Sequence, residues 1–344
     1  MERGFAVGDL PWAARRLARK ATIAAMPIRA HLELAVLRAR LSARLSRLAD
    51  PVRENLESTL GRDPAFDLER IARRYHEFAC VHGLVGSLPA IRGFGDPGRW
   101  PLVGREHLDA ALAGGRGALL CTAHLGWWLL VAPILRVHGY DLVRTGGPFF
   151  DRQRSREESG RRKGSRFRRY VREHTRTRAV YLRPDDIAAT LDVRPFFRAL
   201  ARNRPVLIAG DGKRSLEFAF FPLLGKPYPL PTGFVKIAMA TGAPLLPVFG
   251  LERGRLGSIQ VEIHPPLAID PGAGAVENLA LYARVLDEQL RRSPHLWPRW
   301  EIENLFEDRR AWAEGGYRAA GRAVGDPAAG VESEAGKLDG SRSK

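Results

Sequence analysis

Eighteen consecutive residues, Ala118 to Leu135 (ALLCTAHLGWWLLVAPIL), carry no Lys, Arg, Asp or Glu, and this run constrains the fold more than any other stretch. Its length meets the requirement for a membrane-spanning helix. Its punctuation argues otherwise. Gly115 and Gly117 bound the run, Gly126 divides it near the middle, and Pro133 is expected to interrupt a helix in its second half. The pattern predicts a buried strand over Ala118–Thr122, a sharp turn at His124–Gly126 and a short buried helix from about Trp127. His124 then stands where a strand ends and a helix begins, the place where α/β sheets usually hold their ligands.

Upstream, the sequence reads as helical from Pro11 to about Asp50, with Leu34, Leu37, Leu41, Leu45 and Leu48 at helical spacing and Arg38, Arg40, Arg44 and Arg47 on the other face. A helix covering a core is the commoner meaning of such a stripe, and a helix lying on a membrane is the alternative. A second helical stretch spans Leu68–Leu88. Beyond it, strand patterns at Pro101–Val103, Leu142–Arg144, Val180–Leu182, Val206–Ile208, Phe218–Leu224, Pro244–Phe249 and Ile259–Ile263 are interspersed with helical ones near Pro195–Arg202, Phe234–Thr241 and Ala280–Arg291. This alternation predicts an α/β fold, a mixed central sheet flanked by helices behind an N-terminal helical region. Residues 1–75 read as that basic helical region and residues 76–312 as the main domain. Residues 313–344, small and charged without periodicity, read as a disordered tail.

Charge narrows the partners. There are 55 Lys and Arg against 38 Asp and Glu, a net charge of +17. Twelve of the basic residues fall between Asp151 and Arg178 against four acids. The counterpart is acidic: nucleic acid, an anionic membrane surface or an acidic carrier protein. No nucleic-acid recognition motif or aromatic-interleaved basic stripe is present, so no nucleic-acid partner is expected. Cys80 and Cys121, without a CxxC pair or metal-ligand spacing, argue against a zinc site or disulfide framework and for a reducing cytoplasm. Near the N-terminus, Arg15, Arg16, Arg19 and Lys20 precede only a short apolar patch, Ala21–Ile28, broken by Pro27. That is not a signal-peptide pattern, and a chain of this kind is expected to lie on a membrane rather than cross it.

Four pieces carry chemistry, in order: His124-Leu-Gly126-Trp127-Trp128; Ala209-Gly210-Asp211-Gly212-Lys213-Arg214-Ser215; Leu230-Pro-Thr232-Gly233 opening a helix; and Thr241-Gly-Ala-Pro-Leu-Leu-Pro247. The ordered set resembles the glycerolipid and lipid A acyltransferase superfamily, and within it the bacterial lipid A biosynthesis (late, secondary) acyltransferases. The resemblance covers about Leu102 to Trp300. In that family a His is followed five positions later by Asp or Glu, in a phrase close to His-Phe-Gly-Asn-Trp-Glu. Here the match runs through His124, Gly126 and Trp128, and the carboxylate position is Leu129.

The resemblance implies a glycerolipid-acyltransferase-like domain over residues 76–312 with His124 as general base. A His that removes a proton becomes an imidazolium, and a carboxylate is needed to orient the ring and stabilise that cation. Asp211 is the best substitute for the missing acid: it follows the strand Val206–Ile208, and in a parallel arrangement it would emerge at the same sheet edge as His124. Its turn resembles a Glu-Gly-Thr-Arg-Ser block associated in the superfamily with acceptor phosphate. The alternative is that Asp211 caps its turn and pairs with Lys213 or Arg214. Gly126, Trp127, Trp128, Lys213, Arg214, Ser215, Thr232 and Gly233 are the substrate-binding candidates; Thr232 is also a helix-cap candidate. Backbone N–H groups at the Gly126 turn are candidate oxyanion donors. Trp127 and Trp128, with Phe149, Phe150, Phe220 and Phe221, either floor an acyl groove or are ordinary core aromatics.

The implied partners are an acyl carrier protein or coenzyme A thioester, a lipid or glycolipid acceptor and the anionic surface of a bacterial inner membrane, met peripherally on its cytoplasmic face. No resident cofactor or metal is implied. The rival reading is a catalytically silent relative that keeps a lipid- or carrier-binding groove, motivated by Leu129.

Overall fold

The computed structural model describes residues 9–45, 50–83, 88–89, 91–146, 187–188, 192–212, 215–302, 304–307 and 310. Leu48, Phe149, Phe150, the basic run 151–178, the strand expected over 180–182, Lys213, Arg214 and the tail from 313 lie outside them.

The short apolar runs form strands, and the central ones, Ala118–Thr122 and Leu245–Glu252, are covered on both faces. The strands are β1 (Leu102–Val103), β2 (Ala118–Thr122), β3 (Val143–Gly146), β4 (Ile187–Ala188), β5 (Pro205–Ala209), β6 (Phe218–Leu223), β7 (Lys226–Pro231), β8 (Leu245–Glu252) and β9 (Ile259–Ile263). One seven-stranded sheet has the order β1-β9-β8-β2-β5-β3-β4, and β6 and β7 form a separate hairpin. The sheet is mixed: β8, β2, β5, β3 and β4 run parallel, while β9 is antiparallel to β8. β2 is central, and all five of its residues are buried. A strand buried on both faces reads as a continuous apolar run, which is why Ala118–Thr122 could mimic half of a membrane span. Among the described residues no helix is long and apolar enough to cross a membrane.

The helices are α1 (Asp9–Ala25), α2 (Ile28–Leu45), α3 (Asp50–Leu60), α4 (Leu68–His82), α5 (Arg105–Ala113), α6 (Trp128–Val137), α7 (Arg194–Ala201), α8 (Gly233–Thr241) and α9 (Ala275–Arg292). Pro133 does not end α6, contrary to expectation, but lies inside it. It leaves the carbonyl of Leu129 without its helical donor. Burial of Leu130, Val131, Ala132, Ile134 and Leu135 around it offsets that loss.

The N-terminal stretch also departs from expectation. It breaks at Met26-Pro27 into α1 and α2, and Leu34, Leu37 and Leu41 face outward at 54%, 56% and 52% exposure. Ile28, Val36 and Ala39 of α2 are buried in the core, with Leu32 and Ala35 packed partly buried against it. Helical spacing identified an apolar face, but Leu34, Leu37 and Leu41 on it are not the buried residues. α3 docks through Asn55, whose amide donates to the carbonyls of Trp300 (3.0 Å) and Ile302 (2.7 Å). One hydrophobic cluster runs from Ile28 to Phe306, joining these helices to the sheet.

α3, α5 and β7 have no counterpart in the sequence reading. β7 carries Pro227, Pro229 and Pro231, which argue against a strand when read singly. Their period of two puts all three at alternate positions of a two-stranded ladder, opposite Pro222, Phe220 and Phe218.

Candidate active site

β2 and β5 are adjacent and parallel, in a register that pairs Thr122 with Ala209. Two residues beyond each lie His124 and Asp211, so the register itself sets them side by side. His124 Nδ1 is 2.7 Å from Asp211 Oδ1. The main-chain N–H of His124 donates to both carboxylate oxygens at 3.1 Å. An ionised carboxylate only accepts, so the neutral tautomer that suits this contact is the one with its proton on Nδ1 and its lone pair on Nε2. The His124 side chain is 25% exposed and that of Asp211 2%, so the acid is buried behind a base that solvent can reach.

The two chain ends are tied together beneath the pair. The carbonyl of Thr122 accepts from Gly210 N–H (2.6 Å) and from the Tyr282 hydroxyl on α9 (2.9 Å). A Cβ on Gly210 would lie 2.5 Å from Cys121 Sγ and 2.7 Å from the Tyr282 ring, so only glycine fits there. Burial, together with the nearby Asp211 charge, pushes both the Cys121 thiol and the Tyr282 phenol well above their ordinary ranges. Both stay protonated, and Cys121 is no nucleophile.

The turn after His124 is held from two sides. Gly126 has φ +57° and donates its N–H to the carbonyl of Leu296 at 2.8 Å; Trp127 N–H donates to that of Gly250 at 2.7 Å. These two amides, expected as oxyanion donors, are therefore committed to structural bonds. A Cβ on Gly126 would overlap the Gly250 carbonyl oxygen. Gly126→Ala is expected to destabilise the fold by about 1–3 kcal/mol through left-handed strain and overpacking, read as a lowered Tm.

The two tryptophans part company. Trp127 is fully buried, edge-on to Phe78 with ring centroids 5.4 Å apart and 5.8 Å from His82, so it is a core aromatic. Burial pushes His82 down to about 4, keeping it neutral. The Trp128 ring instead lies 4.3 Å from that of His124. Leu129, in the first turn of α6, packs partly buried against the core.

Ser215, Thr232 and Gly233 gather around Glu217. Ser215 Oγ donates to the Glu217 carbonyl at 2.8 Å, Thr232 Oγ1 to Glu217 Oε2 at 3.4 Å, and a Cβ on Gly233 would sit 3.7 Å from Ser215 Oγ. Their described contacts are with one another rather than with His124 or Asp211. Thr232 occupies the cap position of α8 but makes no capping bond, because its backbone is helical (φ −80°, ψ −15°) where a cap needs an extended residue.

Sequence reasoning missed Arg299, whose Nη2 lies 3.6 Å from Asp211 Oδ2. It sits in a 3-10 turn, Pro298–Glu301, far along the chain. The available signal was a charge set between Trp297 and Trp300, both of them buried.

Residues 16–300 match the bacterial lipid A biosynthesis acyltransferases. The chain is also similar to the phosphatidylinositol mannoside acyltransferase of Mycobacterium tuberculosis (strain ATCC 25618 / H37Rv), with 31% identity over 228 residues, 60% of this chain and 62% of that protein. With the phosphatidylinositol mannoside acyltransferase of Mycolicibacterium smegmatis (strain ATCC 700084 / mc(2)155) it shares 28% identity over 283 residues, 76% of this chain and 82% of that protein. The match thus spans less than two thirds of the length of the first relative and about four fifths of the second.

Proposed function

Since the chain belongs to the bacterial lipid A biosynthesis acyltransferase family, we propose that it moves a fatty acyl group from an acyl thioester to a hydroxyl of a glycolipid acceptor, with His124 as general base and Asp211 as its orienting acid. The observation that carries this reading is the 2.7 Å contact between His124 Nδ1 and Asp211 Oδ1. It supplies, from the neighbouring strand, the carboxylate that Leu129 does not. His124 Nε2 takes the acceptor O–H proton as the oxygen attacks the thioester carbonyl. The C–S bond then breaks, and the departing thiolate takes that proton from the imidazolium. Asp211 stabilises the imidazolium throughout, and no acyl-enzyme is formed. The donor is acyl carrier protein or coenzyme A. The names of the mycobacterial relatives favour an anionic, sugar-bearing phospholipid as acceptor.

The experiment is direct: purified protein is given acyl-coenzyme A or acyl carrier protein thioester with a panel of glycolipids and phospholipids. Acylated lipid and free thiol in equal amounts are expected. Binding of thioester without turnover would instead identify a silent lipid- or carrier-binding protein.

The same reading places the protein peripherally on an anionic inner-membrane surface. Leu34, Leu37 and Leu41 recur on one outward face of α2, Leu10 and Leu17 of α1 are about half exposed, and Arg15, Arg29, Arg38 and Arg40 are exposed beside them. Apolar area with flanking cations suits the interface of an acidic bilayer. Leu37→Glu with Leu41→Glu is expected to abolish co-sedimentation with vesicles containing anionic lipid while leaving Tm unchanged. Equal binding of both proteins would remove this face from consideration.

A further inference from the structure

We infer that Arg299 is a positioning residue for the His124–Asp211 pair, holding the second oxygen of the acid so that the first is left to the base; the inference rests on the general-base reading of His124. Asp211 is buried, and a buried carboxylate is maintained only if it is paired and hydrogen-bonded. Its Oδ1 serves the His124 ring. Its Oδ2 receives the His124 main-chain N–H at 3.1 Å and faces Arg299 Nη2 at 3.6 Å. The Tyr282 phenol on α9 and the Cys121 thiol on β2 also feel the Asp211 charge, and burial keeps both neutral. Arg299 brings a permanent positive charge to the Oδ2 side of the acid.

Its placement is not left to a flexible side chain. The Arg299 side chain is 16% exposed and its Nε is buried. The backbone around it is pinned on three sides: Trp300 Nε1 donates to the Pro294 carbonyl at 2.8 Å, the Asn55 amide donates to the Trp300 carbonyl at 3.0 Å, and Trp297 and Trp300 are buried. The adjoining turn, Pro294–Leu296, supplies the carbonyl that receives Gly126 N–H. One C-terminal segment thus reaches both halves of the site, the turn behind His124 and the Oδ2 side of Asp211.

A structural role alone would lower stability and activity together. A positioning role changes how His124 titrates. Removing the positive charge makes an imidazolium beside Asp211 easier to form, so the His124 midpoint must rise. The test follows the His124 ring signal by NMR across pH in wild type, Arg299→Gln and Arg299→Lys, with the signal assigned by its loss in His124→Gln, and measures kcat and KM in parallel. Arg299→Gln is expected to raise the midpoint by about one pH unit, because a nearby like charge that disfavours the imidazolium has been removed. Its kcat should fall about 10–100-fold with KM unchanged, the usual cost of losing a residue's outer partner. Arg299→Lys should return the midpoint most of the way. A shifted midpoint in a protein without turnover keeps the Arg299 coupling and removes the general-base reading. An unchanged midpoint in folded Arg299→Gln overturns the inference, whatever the turnover.

Discussion

Asp211→Asn is expected to lower kcat by about 10⁴ while the protein stays folded, the loss seen when the orienting acid of a serine-protease His becomes an amide. The size of the effect follows from three of the groups that face the carboxylate. The ring Nδ1 of His124 lies by Oδ1, its main-chain N–H reaches both oxygens, and Arg299 stands by Oδ2. An asparagine has one acceptor and one donor end. The Arg299 charge attracts the amide oxygen and repels the NH2, so the NH2 is turned toward Nδ1. The imidazole then accepts at Nδ1 and carries its proton on Nε2, where it can no longer take one from an acceptor hydroxyl. The variant also lacks the charge that stabilises the imidazolium. The measurement is acylated lipid formed per enzyme at saturating thioester, with a thermal melt as control for folding. A folded variant within about tenfold of wild type would exclude Asp211 as the partner, since a tenfold change is only about 1.4 kcal/mol of barrier.

His124→Ala removes the base itself and is expected to lower kcat about 10²–10⁴-fold, the range that a positioned general base contributes. KM for the thioester should change little, because the ring acts on the acceptor proton rather than on the donor. The substitution opens space beside Trp128 and leaves Asp211 with the main-chain N–H and Arg299 as partners. The acid is therefore not stranded without a donor. Thiol release at the same rate in wild type and His124→Ala would show that another group takes the proton.

Parts of this site were legible in the sequence for local reasons. The continuous apolar run Ala118–Thr122, bounded by glycines, forms a strand buried on both faces, and the polar turn after Val206–Ile208 emerges from another. Periodicity and punctuation are local properties, and they survive folding wherever the element is short and central. The orientation of α2 was not legible. Its exposed leucines and its buried Val36 and Ala39 both lie at helical spacing, and which face is buried depends on what packs there. The fate of the tryptophans was equally hidden: Trp127 and Trp128 are neighbours in sequence, yet one joins Phe78 in the core and the other lies against the His124 ring.

From the chain alone came an α/β fold, a His at a strand-to-helix turn, and a missing acid at Leu129 with Asp211 as the candidate to replace it. The tertiary structure decided whether that replacement is geometrically available, because pairing between β2 and β5 is a long-range register with no local signature. Matching Thr122 to Ala209 puts two residues, 87 positions apart, within 2.7 Å. Arg299 reaches the same carboxylate from a turn held by the docking of Asn55, the Trp300 Nε1 bond to the Pro294 carbonyl and the burial of Trp297 and Trp300. Spacing along a chain reports which residues share an element; only the packing of elements brings a base, its acid and a distant cation to one point.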